Sequence, residues 1–381
     1  MSMPRPAAAP TRSQKARTEN TVPVFWPLEF AAAVTRADTA LFARGLATLA
    51  EAEKLEFGLE PKFATENRIL FELHTLRLRD FTRAVTPKEA PTLIDAPYAG
   101  HSAVIADFLP GQSLVETLLS NGLSRVALTD WKSATQETKD YDIDNYLAEI
   151  NVCVDDLGGR VNLVGLCQGG WMSAMYAARF PEKVRSLVLA GAPIDTEAGD
   201  GPIKQMVQEL PLAEYEGLIG FGGGLMRGRY MLRAWKNMHP GDHYVRKYVD
   251  LYEHIDDPSY LRKKEAFEAW YENPFDLPGR WYLQVVKELF KENRLAKGSF
   301  VGLGRTLLLS RVKCPVYLLA GAGDDITTKE QVFGAERYLG TVPAHVAKAL
   351  APGGHIGLFT GSRTLKDYWP AIARWVAEAR S

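Results

Sequence analysis

The sequence predicts an α/β protein in which helices flank a mostly parallel β-sheet. Short apolar segments alternate with helical segments through residues 91–193 and again after residue 309. This alternation is typical of βαβ units, which build parallel sheets. An aromatic-rich segment, residues 194–308, interrupts it. A linker would not carry so many Trp, Tyr and Phe side chains, so this segment is predicted to be a helical lid over the sheet.

The elements of the predicted fold follow one another along the chain. Strands are expected at 69–79, 91–97, 125–131, 161–164, 184–190, 315–320 and 345–350. Helices are expected at 108–121, 144–157, 172–179, 280–293, 329–339 and 367–380. The alternation of apolar and polar residues in 69–79 is typical of an edge strand.

Four parts of the chain are expected to differ in character. Residues 1–25 have too few large apolar groups to offset the entropy of ordering and are predicted to be a disordered tail. Residues 26–193 form the first part of the core, 194–308 the lid, and 309–381 the second part of the core. The helical period over 27–57 predicts an amphipathic helix packed on the main domain, with a helix that binds a lipid or polymer surface as the alternative.

Composition limits the classes of function. The 381 residues carry a formal net charge of −1 with mixed signs along the chain, so no basic face predicts a nucleic-acid partner. Cys153, Cys167 and Cys314 cannot all pair and show no zinc-site spacing, which is typical of a reduced, cytoplasmic protein. No signal peptide or transmembrane segment is recognisable. We expect no metal and no cofactor.

A predicted strand-to-helix turn carries the strongest candidate for a catalytic group. Cys167 lies in a Gly-x-Cys-x-Gly pattern between the strand that begins at Val161 and a helix. Such a nucleophile elbow crowds the backbone, so small residues are needed two positions away, as Gly165 and Gly169 are. A cysteine there is a strong nucleophile when a histidine lies nearby.

Two further side chains complete a candidate catalytic triad. Asp324 follows the 315–320 strand, and His355 follows the 345–350 strand on a Gly-rich loop. Nucleophile, acid and base in this chain order are typical of the α/β-hydrolase fold. Asp324 would hold the imidazole in the correct tautomer. Asp325 is the competing acid, which could instead cap the next helix.

The oxyanion hole is predicted from backbone N–H groups. One belongs to Gln168, the residue after the nucleophile, and the other to the loop after residue 97. Tyr98 and Ala99 are our candidates in that loop. His101 is a candidate for a supporting hydrogen bond behind the site.

With these residues placed, the chain resembles the polyhydroxyalkanoate enzymes, which are α/β-hydrolase proteins with Cys, Asp and His. The segments 96–101, 129–131, 142–146, 281–298, 324–326 and 354–361 look like the intracellular poly(3-hydroxybutyrate) depolymerases. The segments 165–170 and 109–115 look like the synthases. Since the first set spans the chain, this resemblance favours hydrolysis of polyhydroxyalkanoate esters.

Two alternatives stay open. One is a synthase that transfers 3-hydroxyacyl groups from coenzyme A to a growing polyester, and the other is an inactive granule-associated binding protein. The resemblance implies a polyester or 3-hydroxyacyl ester as the substrate. The candidate partners are a polymer granule surface and a second copy of the chain.

Overall fold

The structure is a computed structural model that describes residues 26–57, 59–83, 89–238, 241 and 245–379. The predicted tail, 1–25, lies outside the described residues, as do His239 and His243. The strands, in chain order, are β1 Arg68–Glu72, β2 Leu76–Asp80, β3 Thr92–Asp95, β4 Asp107–Leu109, β5 Gln112–Ser113, β6 Val126–Trp131, β7 Val161–Leu166, β8 Val184–Ala190, β9 Leu225–Met226, β10 Leu277–Pro278, β11 Val301–Gly302, β12 Arg305–Thr306, β13 Val316–Gly321 and β14 Val346–Ala351.

One eight-stranded sheet positions the site. Its strand order is β1-β2-β6-β3-β7-β8-β13-β14. The pairs β1–β2 and β2–β6 are antiparallel, and the pairs from β6 to β14 are parallel. Every residue of β3, β6 and β7 is buried, because helices cover both faces of a parallel sheet. The predicted α/β-hydrolase fold class is confirmed.

The helices lie between these strands and in the segment after β8. They are α1 Trp26–Phe57, α2 Leu114–Ser120, α3 Ile143–Asp156, α4 Gln168–Arg179, α5 Pro202–Glu209, α6 Leu212–Phe221, α7 Gly228–Met238, α8 Lys247–Glu253, α9 Pro258–Tyr271, α10 Gly279–Gln284, α11 Lys329–Phe333, α12 Gly357–Thr360, α13 Ser362–Asp367 and α14 Trp369–Glu378. A π-helical turn, Val285–Lys291, continues α10. None of the helices in the described ranges combines the length and the apolar character that crossing a bilayer requires.

The prediction of one edge strand over 69–79 is wrong. The chain reverses between β1 and β2, where the backbone N–H of Leu73 donates to the carbonyl of Leu76 at 2.8 Å. The two strands form an antiparallel hairpin, and β2 continues the pairing onto β6. The alternation of apolar and polar residues shifts by one residue at the turn, where the polar residues His74 and Thr75 follow one another, and this shift was the available sign of a hairpin.

The predicted helix over 108–121 begins later than expected. Pro110 and Gly111 turn the chain, with Gly111 at φ +76°, and β4 pairs with β5 across this turn. Pro and Gly are the residues that such turns favour. The helix α2 starts only after Ser113, whose hydroxyl accepts a hydrogen bond from the N–H of Glu116 at 2.9 Å.

The helix α1 packs on the segment between β8 and β13 rather than on the sheet. It contacts α8 and α9. The guanidinium of Arg44 donates to the carbonyls of Tyr252 and Glu253 at 2.8 and 2.9 Å. The Lys54 ammonium pairs with Glu265 on α9. The first helix therefore packs on helices of the predicted lid. The prediction that it packs on the main domain is wrong.

Candidate active site

Cys167 stands on a strained turn between β7 and α4. Its backbone has φ 52° and ψ −114°, a conformation that residues with a side chain seldom adopt. A Cβ built on Gly165 would lie 2.5 Å from the Cα of Gly170, and one on Gly169 would lie 2.1 Å from the carbonyl oxygen of Asp95. Neither position can accept a side chain without moving backbone. The predicted elbow geometry is therefore present at this cysteine.

Asp324 orients the imidazole of His355. The Nδ1 of His355 donates to Oδ2 of Asp324 at 2.7 Å. The other carboxylate oxygen accepts hydrogen bonds from the backbone N–H groups of Ile326 and Thr327 at 3.0 and 2.8 Å. Because both oxygens are held, the carboxylate cannot rotate away from the ring. Asp325 lies on the wall of the cavity described below.

The alternative role for Asp325, as a helix cap, is not seen. The helix α11 begins after Thr328, and no side chain caps it. The Asp324 carboxylate instead binds the loop N–H groups that precede this helix.

The charges around His355 favour its protonated form. Burial by itself lowers the pKa of His355, but the neighbouring sulfur of Cys167 and the carboxylate of Asp324 outweigh burial and hold this pKa well above its usual value. The His355 side chain is 6% exposed and the Asp324 side chain is fully buried, so water screens these charges little. The Nε2 of His355 is buried and forms no hydrogen bond of good geometry within the described ranges. This arrangement is suited to an imidazolium that gives its proton to a leaving group.

The three oxyanion-hole candidates differ in their placement relative to the cavity that contains Cys167. Gln168 is the first residue of α4, where backbone N–H groups have no partner within the helix. Ala99 lines the same cavity as Cys167 and Gln168. The Tyr98 side chain points into the core, where its hydroxyl accepts a hydrogen bond from Tyr146 at 2.9 Å. Only the backbone of Tyr98 can therefore serve an oxyanion, and these assignments stay predictions.

His101 ties the loop after β3 to the helix α9. Its Nε2 donates to the carbonyl of Tyr271 at 2.9 Å, and the two rings stack. Burial lowers the pKa of His101 to about 4, so the ring is neutral at pH 7. On the same loop, the carbonyl of Ser102 accepts a hydrogen bond from the indole of Trp270 at 2.9 Å. These contacts hold the loop that carries Ala99.

A single cavity of about 380 Å³ joins the candidate catalytic residues to the helices that follow β8. Cys167 and His355 line one part of it, and mostly apolar side chains of α5, α6, α7, α9 and α10 line the rest. The described part of this segment therefore lines much of the cavity that contains Cys167 and His355. Sequence reasoning missed the lining residues Ser102 and Tyr215, because nothing in their local sequence distinguishes them from other loop and helix residues.

Sequence reasoning also missed Asp95, which lies beneath the elbow. Its carboxyl is fully buried and accepts hydrogen bonds from the hydroxyls of Ser173 at 3.1 Å and Thr129 at 3.3 Å. Burial raises the pKa of Asp95 to about 8. A charged residue that ends the apolar run of β3 was the available signal. Asp95 joins β3, β6 and α4 at the point where the oxyanion loop begins.

The two remaining cysteines lie apart from this cavity. Cys153 is buried on α3, and burial raises its pKa. Burial raises the pKa of Cys314 to about 12. Across the described residues, no group of three or more His, Cys, Asp or Glu side chains is placed to hold a metal ion.

Comparison with known proteins identifies a matching family and sequence relatives that cover most of this chain. The family described as "Protein of unknown function (DUF3141)" matches residues 74–339. A poly(3-hydroxyalkanoate) polymerase subunit PhaC of Haloferax mediterranei is 30% identical over 82% of this chain, which spans 64% of that relative's length. The PhaC subunit of Allochromatium vinosum is 27% identical over 88% of this chain and 93% of its own. A monoacylglycerol lipase from Paleococcus ferrophilus has a similar structure, with a TM-score of 0.48 and 17% identity over 79% of this chain and 98% of its own.

These relatives decide between the two enzymatic interpretations of the sequence. The resemblance to polyhydroxyalkanoate enzymes is confirmed. The preference for a depolymerase is wrong, because sequence relatives that match 75–89% of this chain are named as poly(3-hydroxyalkanoate) polymerase subunits. The short segment at 165–170, which looks like the synthases, was the better guide than the longer set of matches.

Proposed function

Since the chain belongs to the DUF3141 family and is related to poly(3-hydroxyalkanoate) polymerase subunits, we propose that it transfers 3-hydroxyacyl groups from coenzyme A thioesters to the hydroxyl end of a growing polyester. The observation that carries this proposal is a cysteine on a nucleophile elbow, beside a buried His–Asp pair, in a largely apolar cavity. The polymerase names belong to the relatives, and their activity is proposed here for this chain.

The first half of the proposed reaction loads the enzyme. The Cys167 thiolate attacks the carbonyl carbon of the acyl thioester, and backbone N–H groups near Gln168 stabilise the oxyanion. The bond between the carbonyl carbon and the sulfur of coenzyme A then breaks. The leaving thiolate takes the proton from the His355 imidazolium, which leaves a neutral imidazole and an acyl-thioester on Cys167.

The second half extends the polyester. The neutral His355 accepts the proton of the chain-end hydroxyl as its oxygen attacks the acyl carbonyl. A new ester bond forms, the carbon–sulfur bond to Cys167 breaks, and the thiolate and imidazolium are restored. Asp324 stabilises the imidazolium in both halves and keeps the proton on Nδ1.

Exclusion of water supports transfer over hydrolysis. The same acyl-enzyme would release a free acid if water reached it, so the identity of the acceptor depends on what the cavity admits. The apolar side chains of the helices after β8 surround the nucleophile and bind few water molecules. A polyester chain end, which is largely apolar, is the acceptor that such walls favour.

The test follows both products of one reaction. Purified protein is supplied with 3-hydroxybutyryl-coenzyme A while thiol release and the products are measured. We expect coenzyme A release together with ester-linked product and little free 3-hydroxybutyrate. Cys167→Ala should abolish thiol release, and Cys314→Ala, which changes a cysteine outside the cavity, should keep it. Stoichiometric free acid without ester-linked product would contradict the proposal.

Contact with a polymer surface is a separate prediction. On α1, the side chains of Leu41, Phe42 and Leu49 are 58%, 68% and 67% exposed. Exposed apolar groups on one helix support the alternative in which this helix binds a polymer surface. Co-sedimentation with amorphous poly(3-hydroxybutyrate) granules tests it. Replacing Leu41 and Phe42 by Ser should weaken binding, and unchanged sedimentation would refute this role for α1.

A further inference from the structure

Part of the cavity is lined by a second apolar cluster. Ile203, Val207, Tyr215 and Val286 are buried together there, apart from the main core. All four also line the cavity that contains Cys167. Ile326, on the loop that holds the catalytic carboxylate, packs against this cluster and lines the same cavity. This part of the cavity lining is therefore built by the helices after β8 together with the Asp324 loop.

One polar group interrupts this apolar wall. Tyr215 is only 4% exposed, and its hydroxyl has no hydrogen-bond partner within the described part of the chain. Burial raises the pKa of Tyr215, so the hydroxyl keeps its proton and can donate it. A buried hydroxyl without a partner destabilises the folded protein, because it has lost its hydrogen bonds to water. A molecule that occupies the cavity and brings an acceptor to this point would recover that cost.

Other unpartnered polar atoms line the cavity together with Cys167. They are Oγ of Ser102, Oε1 of Gln168 and Nε2 of His355. Ser102 belongs to the loop after β3 and Gln168 to the elbow, so these atoms are positioned by the catalytic part of the fold. Tyr215 is positioned by α6 instead. Residues from two structurally separate parts of the cavity lining therefore carry buried polar atoms without a partner in the described ranges, and most of the other lining residues are apolar.

This pattern distinguishes between acyl groups. A plain alkyl chain would fill the apolar wall but leave the Tyr215 hydroxyl without a partner. A carboxylate would be buried without a counter-charge, which costs far more than an unpaired hydroxyl. A neutral ester carbonyl within an otherwise apolar chain satisfies both requirements. Polyesters of 3-hydroxyacids carry such a carbonyl in every unit.

We propose that Tyr215 is a specificity-determining residue whose hydroxyl donates a hydrogen bond to the internal ester carbonyl when the thioester donor transfers a group of two ester-linked 3-hydroxyacyl units to Cys167. This inference rests on the proposed function and deepens it, since it selects chains of two or more ester-linked units over single alkyl acyl groups of equal length.

Two coenzyme A thioesters of similar length test the inference. One carries the two-unit 3-(3-hydroxybutyryloxy)butyryl group, and the other carries the 3-hydroxyoctanoyl group, which has no internal ester. The kcat/KM for coenzyme A release is measured with both. We expect the unmodified protein to prefer the two-unit thioester. Tyr215→Phe should lower kcat/KM for that thioester by about five- to tenfold, the effect of one lost hydrogen bond, and leave the 3-hydroxyoctanoyl thioester nearly unchanged.

A matched control and the possible outcomes separate this inference from the proposed function. Tyr317→Phe makes the same chemical change on β13, outside the cavity, and should alter neither substrate. Equal losses with both thioesters, or no loss in Tyr215→Phe, would overturn the role of Tyr215. If Tyr215→Phe does not fold, the test uses the unmodified protein alone. In that case the inference is overturned when kcat/KM for the two-unit thioester is about equal to kcat/KM for the 3-hydroxyoctanoyl thioester. If neither thioester releases coenzyme A from the unmodified protein, the proposed function itself fails.

Discussion

Replacing Asp324 by Asn should separate the two roles of this carboxylate, orientation and charge. In the folded protein, its Oδ2 accepts the Nδ1 proton of His355 at 2.7 Å, and its side chain is fully buried. Asn preserves the shape but removes the charge that opposes the imidazolium. In a Ser-His-Asp triad the same Asp→Asn change leaves the geometry intact but favours the wrong histidine tautomer and lowers kcat by about 10⁴-fold, so we expect a loss of about 10²–10⁴-fold in the rate of acylation.

The pH dependence provides a second readout for the same variant. The carboxylate of Asp324 helps to hold the pKa of His355 well above its usual value. Without it, that pKa falls, and the imidazolium that protonates the leaving thiolate is lost at a lower pH. The alkaline limb of the pH profile for thiol release should therefore move to lower pH in Asp324→Asn.

Single-turnover release of coenzyme A from 3-hydroxybutyryl-coenzyme A, followed from pH 6 to pH 9, measures both effects. Asp325→Asn is the matched control, because Asp325 lies on the cavity wall without accepting the His355 proton. We expect Asp325→Asn to lower the rate of coenzyme A release by less than about threefold, because substitutions of exposed residues outside the catalytic machinery have small effects. If Asp325→Asn has the larger effect, or if Asp324→Asn changes neither rate nor pH profile, the assignment of the triad acid is wrong.

Three further changes test the surroundings of the site. Gly169→Ala places a methyl group 2.1 Å from the Asp95 carbonyl oxygen, so it should reduce thiol release at least about tenfold and lower the melting temperature; a variant with unchanged activity would contradict the tight elbow. The folded Asp95 has a pKa of about 8 against 3.8 ordinarily, so the folded state binds the extra proton and stability falls as pH rises from about 4 to about 8. Asp95→Asn should therefore show a smaller drop in melting temperature between pH 5 and pH 8 than the unmodified protein, and equal drops would refute this assignment. Cys314, whose pKa burial raises to about 12, should react with iodoacetamide far more slowly than Cys167, as peptide mapping after brief labelling would show.

The local sequence was sufficient for the elements with a strong period and for the turn at the nucleophile. The buried strands β3, β6, β7 and β8 could be predicted because residues buried on both faces leave a continuous apolar run. The elbow could be predicted because only Gly fits at positions 165 and 169. By contrast, the hairpin of β1 and β2 was missed, although the two successive polar residues His74 and Thr75 shift the alternation of side chains at its turn.

The longer set of motif matches pointed to the wrong reaction. The matches at 96–101 and 354–361 follow β3 and β14 and include His101 and His355, which both enzymatic interpretations use, so these matches do not distinguish an acyl acceptor from water. Relatives over most of the chain were required to correct the depolymerase prediction.

The sequence by itself predicted the fold class, and it predicted a triad of Cys167, Asp324 and His355 with Asp325 as the competing acid, because each of these residues stands at the end of a regular strand. Only the tertiary structure decided what surrounds them. The hydrogen bond between His355 and Asp324 favours Asp324 over Asp325 as the partner of the imidazole. The buried Tyr215 hydroxyl was brought to the cavity of Cys167 by packing between helices and loops distant in sequence. Such contacts arise from side-chain packing over long chain separations, which leaves no periodic signal in the sequence.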